Sequence, residues 1–154
     1  MEVAQPTDNP DNHTIWMENA GFLYDRLFVH KLKWPSLTFQ WLPFKQESPL
    51  ETVYKCLYAT QSSGNAQAEH IYIADVTFPN LRNLSEDPND MPASRIKTVY
   101  RFTHENEVNR ARYNPNDWSM LAARTDEGPI CLFKEGNEFP VHLMDGNLSG
   151  GFAL

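Results

Sequence analysis

Cysteine is scarce in this chain. Two of its 154 residues are cysteine, Cys56 and Cys131, and their separation matches no metal or redox spacing. That excludes a disulfide framework and fits a reducing cytosolic or nuclear compartment. Long apolar runs are missing as well. No stretch approaches the roughly 18 residues that a membrane span needs, and Met1-Glu2-Val3-Ala4-Gln5-Pro6 has no secretory apolar core. Basic charge is in short supply: 13 Lys and Arg face 20 Asp and Glu, for a net charge of −7 and a pI near 5.1. Such a balance argues against direct contact with nucleic acid or an anionic membrane. It favours basic partners, although mild acidity also serves solubility alone. There is no Gly-rich phosphate loop, no Gly-x-Ser-x-Gly elbow, no His-Glu-x-x-His and no Cys-x-x-Cys. His13, His30, His70, His104 and His142 show no metal-ligand spacing, and Asp25, Asp75 and Asp126 cannot be paired from sequence. The chain is read as a non-enzyme with no cofactor and no metal.

What is present points to a folded β-rich domain. Hydrophobic residues make up 41% and aromatics 12%, which is globular rather than disordered. Eleven Pro against seven Gly, among many short apolar runs, favours strands joined by turns. Residues 1–13 are polar and Pro-punctuated, a flexible arm. Over 14–33 the period is helical: Trp16, Ala20, Leu23 and Leu27 share a stripe, with Tyr24 and Phe28 beside it. Thr14 can cap this helix, Gly21 weakens it by about 1 kcal/mol relative to Ala, and Pro35 stops it before Trp34.

The period then becomes two. A Pro-started strand runs to a second Pro at Pro43, with Leu37, Phe39 and Trp41 on one side and Ser36, Thr38 and Gln40 on the other. Strand patterns follow at 52–60, 70–78 and 95–102, interrupted by an acidic loop at 81–92 that includes Glu86, Asp87 and Asp90. A second round comprises 107–113, 118–123, 129–133 and 139–144, with Asn114-Pro115-Asn116-Asp117 as a strong turn. Ser36-Leu37-Thr38-Phe39-Gln40-Trp41-Leu42-Pro43 overlays Val108-Asn109-Arg110-Ala111-Arg112-Tyr113-Asn114-Pro115. This is an internal repeat of four-stranded units, the pattern of propeller blades of about 40–45 residues. The expected organisation is a first blade at 34–103, a second at 104–145, and the start of a third at 146–154.

Three segments resemble the WD40 histone-binding family of retinoblastoma-binding protein and MSI-like chromatin subunits. Ile15-Trp16 with Phe22-Leu23-Tyr24-Asp25 is similar to the family's N-terminal helix, and Trp34 to Pro43 to its first strand. His104-Glu105-Asn106-Glu107-Val108-Asn109-Arg110-Ala111-Arg112-Tyr113-Asn114-Pro115 resembles the junction of its first two blades. Departures are Phe133-Lys134 in place of an aromatic-Asp pair, Thr103-His104 in place of Gly-His, and Gly21 where relatives often have Pro. The resemblance implies an all-β fold with an N-terminal α-helix, a partial WD40 β-propeller. Since that fold closes with about seven blades, the expectation is a fragment or truncated form.

The resemblance also implies a function: a non-catalytic histone-binding scaffold of the nucleus, with some presence in the cytoplasm. Its partners would be core histones or basic peptide segments, together with components of chromatin assembly, acetyltransferase, deacetylase or methyltransferase complexes. Nucleic acid would not be bound directly. Glu107, Asn109 and Arg110 would form the face for a basic histone tail, because a carboxylate suits a cationic side chain and an amide serves backbone groups. Lys33 stands where a basic ligand would meet an acidic residue. Leu23, Leu27 and Phe28 would line a groove for a histone helix. The plainer readings are a solvated strand start for the first set and an apolar stripe packed on the propeller's side for the second. A WD40 adaptor or substrate receptor unrelated to histones is the alternative.

Overall fold

The computed structural model describes residues 11–24, 27–62, 64, 68–80, 95–146 and 150–154. Most of the expected arm and the whole acidic loop lie outside the described residues. Helix α1 (Asn12–Leu23) precedes eight strands: β1 (Phe39–Glu47), β2 (Glu51–Ala59), β3 (Glu69–Pro79), β4 (Ile96–His104), β5 (Val108–Asn114), β6 (Asp117–Thr125), β7 (Ile130–Lys134) and β8 (His142–Met144). They form two antiparallel sheets ordered β1-β2-β3-β4 and β5-β6-β7-β8. Two four-stranded meanders in series are successive propeller blades, so the fold class read from the sequence holds.

The sheets pack face to face. Because side chains alternate across a strand, every second residue of the inner strands meets the same core. Leu42, Leu57, Ala59, Ile71, Ile73 and Phe102 of the first sheet meet Val108, Ala111, Leu121, Ala123, Cys131 and Phe133 of the second. At the centre, the Phe102 and Phe133 rings lie 5.4 Å apart at 61°, and both are fully buried. Each such side chain contributes about 1.5–3 kcal/mol through the area it removes from water.

Strand β1 departs from the sequence reading. It begins at Phe39 and does not stop at Pro43, running on to Glu47. The register to β2 jumps between Trp41 and Lys45, a bulge that holds Pro43; Pro lacks an N–H, and a bulge on an edge strand asks for none. The alternation predicted for 36–42 is present, but the apolar side is not the buried one. Leu37, Phe39 and Trp41 remain about half exposed, while Thr38 and Leu42 are buried. Thr38 and Gln40 face the second sheet because the edge of β5 presents unpaired backbone groups there. Thr38 Oγ1 accepts from Ala111 N (3.1 Å) and donates to Ala111 O (3.2 Å), and Gln40 Oε1 accepts from Tyr113 N (3.2 Å). A buried backbone N–H left unpaired costs more than a buried hydroxyl that pairs it.

The helix is shorter than the 14–33 expected. Its cap is Asp11, not Thr14: the Asp11 carboxylate accepts from Thr14 N at 2.7 Å. Tyr24 leaves the helix with an extended backbone, φ −133° and ψ 133°. Beyond it, Phe28 and Leu32 lie on the outer face of the first sheet, Phe28 against Phe78 at 5.7 Å and Leu32 beside Cys56, Tyr58, Ala74 and Val76. A spacing of four residues fits a helical stripe and an extended strand equally, so Phe28 and Leu32 read as helix in isolation. On a sheet surface the same pair covers apolar area as extended chain. The helix itself buries only Ala20; Phe22 and Leu23 are exposed at 90% and 62%, so the stripe expected to pack on the propeller's side faces water.

Candidate functional site

The beginnings of β1 and β5 and the ends of β2 and β6 meet at one end of the two sheets, as antiparallel pairing requires. Glu107 lies immediately before β5, Gln61 two residues beyond β2, and Pro35 ahead of β1. Gln61 N donates to Pro35 O (2.9 Å), and its Nε2 donates to Glu107 Oε2 (3.0 Å). Asp126 N donates to Glu107 O at 3.2 Å. The two sheets are thus tied along this rim by the half-buried Glu107, with Glu105, Asp126 and Glu127 exposed in the neighbouring turns.

Asn109 is the extra residue of a bulge, because Val108 pairs with Thr125 while Arg110 pairs with Arg124. It is buried, and its Nδ2 donates to Gly151 O at 3.3 Å. Gly151 N in turn donates to Thr125 O at 3.2 Å. The close approach needs glycine at the preceding position: a Cβ on Gly150 would stand 1.7 Å from the Asp126 carbonyl oxygen. Arg110 is half-buried opposite Arg124. The structure therefore brings Glu107, Asn109 and Arg110 to one strand start. Glu107 is turned to the rim, and the amide of Asn109 holds the 150–154 segment. Lys33 places its ammonium 6.0 Å from the Trp34 ring.

The rim rests on a buried carboxylate that sequence reading missed. Glu69, 4% exposed, accepts from Thr60 Oγ1 (2.7 Å), from Ser62 N (2.8 Å) and from Ser62 Oγ. Burial pushes its pKa up, yet the bonds from Ser62 and Thr60 outweigh that and hold it below the ordinary 4.5. Gln61 is the residue between the two that Glu69 grips. Thr60-Gln61-Ser62 with an acidic residue nearby was the available signal, but Ser and Thr in a loop are too common to single out.

His104 sits under the same turn. Asn106 N donates to its Nδ1 at 2.9 Å, so the proton is on Nε2, which faces Cys131 Sγ at 3.1 Å. Burial lowers its pKa below the ordinary 6.5, against the smaller opposing pull of Asn106, Glu105 and Asp126. It is a neutral structural histidine, the role expected of it. Both cysteines are free and buried; burial and the Asp75 carboxylate push the Cys56 thiol up to about 11.

The second predicted set is not assembled as predicted. Leu23 ends α1, whereas Leu27 and Phe28 lie past it, so the three share no helical edge. Phe28 is occupied by Phe78, with the Arg95 guanidinium 5.5 Å above its ring. The exposed apolar residues of this region are instead Ile15, Met17, Phe22 and Leu23 on the helix. Periodicity alone placed Leu27 and Phe28 with them.

Residues 11–80 match the family model of the histone-binding protein RBBP4, or the corresponding member of the CAF1 complex. The chain is also similar to histone acetyltransferase type B subunit 2 of Encephalitozoon cuniculi, 33% identical over 94% of this chain and 40% of that protein. The protein of the same name from Candida glabrata is 30% identical over 100% of this chain and 39% of its own length. That from Schizosaccharomyces pombe is 30% identical over 94% and 37%. The chain spans about 40% of the length of these curated relatives.

Proposed function

The chain carries the N-terminal region of the WD40 histone-binding family, and from that premise we propose that it is a non-catalytic scaffold that holds basic histone segments. Its partners are core histones and the components of chromatin assembly and histone-modifying complexes, and its place is the nucleus. The observation that carries this reading is the rim: Glu107 is fixed between Gln61 and Asp126, and Glu105, Asp126 and Glu127 stand exposed around it. A preformed row of carboxylates attracts a cationic tail at long range and holds it by charge-assisted hydrogen bonds at short range. Asn109 fixes the backbone behind this row, and Arg110 bounds it. The second contact face is the exposed apolar side of α1, with Leu23 at its end, which fits an amphipathic helix laid alongside it. Leu27 and Phe28 set where that helix leaves the sheet.

The test is a titration of the chain against core-histone tail peptides and scrambled peptides of equal charge, at low and physiological salt. The histone peptide saturates and the scrambled one does not. Glu107→Ala weakens binding about tenfold, the scale of one charge-assisted contact, and Asn109→Ala weakens it less. Equal affinity for the scrambled peptides, or indifference to Glu107→Ala, would overturn the reading.

A further inference from the structure

We propose that Gln61 is a selectivity residue that sets the rim to prefer lysine over arginine; this rests on the histone-tail reading above. The Gln61 amide already occupies Glu107 Oε2 at 3.0 Å. A guanidinium meets a carboxylate best through two parallel N–H···O bonds that use both oxygens, whereas an ammonium is a point charge that one oxygen satisfies. With Oε2 engaged, Oε1 is left to meet the ligand, and the two-pronged mode is blocked unless Gln61 is displaced. Displacement is resisted from two sides. Gln61 N is tied to Pro35 O at 2.9 Å, and its neighbours Thr60 and Ser62 are both held by the buried Glu69 carboxylate. Glu69 is thus a positioning residue for Gln61, and Gln61 for Glu107.

The experiment compares two peptides of equal length and net charge, one carrying only lysines and the other only arginines, against the full chain and its variants by calorimetry. The unaltered chain binds the lysine peptide more tightly. Gln61→Leu, which keeps the bulk and removes the donor, raises arginine-peptide affinity about fivefold, within the worth of one added charge-assisted bond. It leaves lysine-peptide affinity nearly unchanged. Gln61→Asn, whose amide falls short of Glu107, behaves like Gln61→Leu, and either change made in a Glu107→Ala background moves the ratio no further. A lysine-to-arginine ratio unmoved by both Gln61 variants, with binding intact, overturns the selectivity and leaves the histone reading standing. If neither peptide binds saturably, the reading and the selectivity fall together.

Discussion

The two sheets share a topology and differ in how they are covered. The first is built of strands of nine to eleven residues, and the chain from Phe28 to Trp34 lies across its outer face. The second narrows from nine residues in β6 to five in β7 and three in β8, and every residue of β8 is exposed. Its outer face has only the 150–154 segment nearby, with Gly151 beside Arg124 and Leu154 beside Met120 and Leu132 in a cavity of about 480 Å³. Both sheets nevertheless bury the same kind of residue on the face they share. A meander of this type is therefore held chiefly by what lies between the sheets, and its outer strands are as long as their cover allows.

The comparison breaks most sharply at the shared core. Phe102→Ala removes a fully buried ring against Phe133 and costs about 3–5 kcal/mol. Thermal melting followed by circular dichroism should show one lowered transition for both sheets. Two separate transitions would mean that each sheet stands alone. Thr38→Val keeps the shape and leaves Ala111 N without its acceptor, at a cost of about 1–3 kcal/mol. Hydrogen exchange should rise first at Ala111 and Tyr113 on the inner edge of the second sheet.

Acid separates the rim from the core. His104 and Glu69 both have folded pKa values below their ordinary ones, so each adds stability that is present above its ordinary value and lost as pH falls. For His104 the loss begins near pH 6.5 and continues down to its lowered folded value; for Glu69 it begins only near 4.5. Melting temperature against pH should fall in two steps, and Glu69→Gln should remove the second. A single step near 4.5 in the unaltered chain would deny His104 its part. The smallest effect belongs to the helix. Asp11→Ala should reduce helical signal without moving the melting of either sheet, since α1 buries only Ala20.

Much of this was legible in the residues. The eight strands sit close to where period-two runs and turn residues place them, because pleating and turn chemistry act over a few neighbours. Glu107, Asn109 and Arg110 were found through a motif whose order a generic strand does not demand. Gln61 and Glu69 were not. Their importance comes from a contact between residues 46 positions apart and from a carboxylate buried under a loop, and neither leaves a local pattern.

The sequence by itself determined the fold class, the two groups of four strands and the acidic balance, since alternation, prolines and charge count need no partner to be read. Only the tertiary structure decided which side of each alternation turned inward and where the helix stopped. Thr38 and Gln40 went in and Phe39 and Trp41 stayed half out because the open edge of β5 needed hydrogen bonds more than it needed apolar area. Phe28 and Leu32 left the helix because a sheet face of Cys56, Tyr58, Ala74 and Val76 was there to be covered.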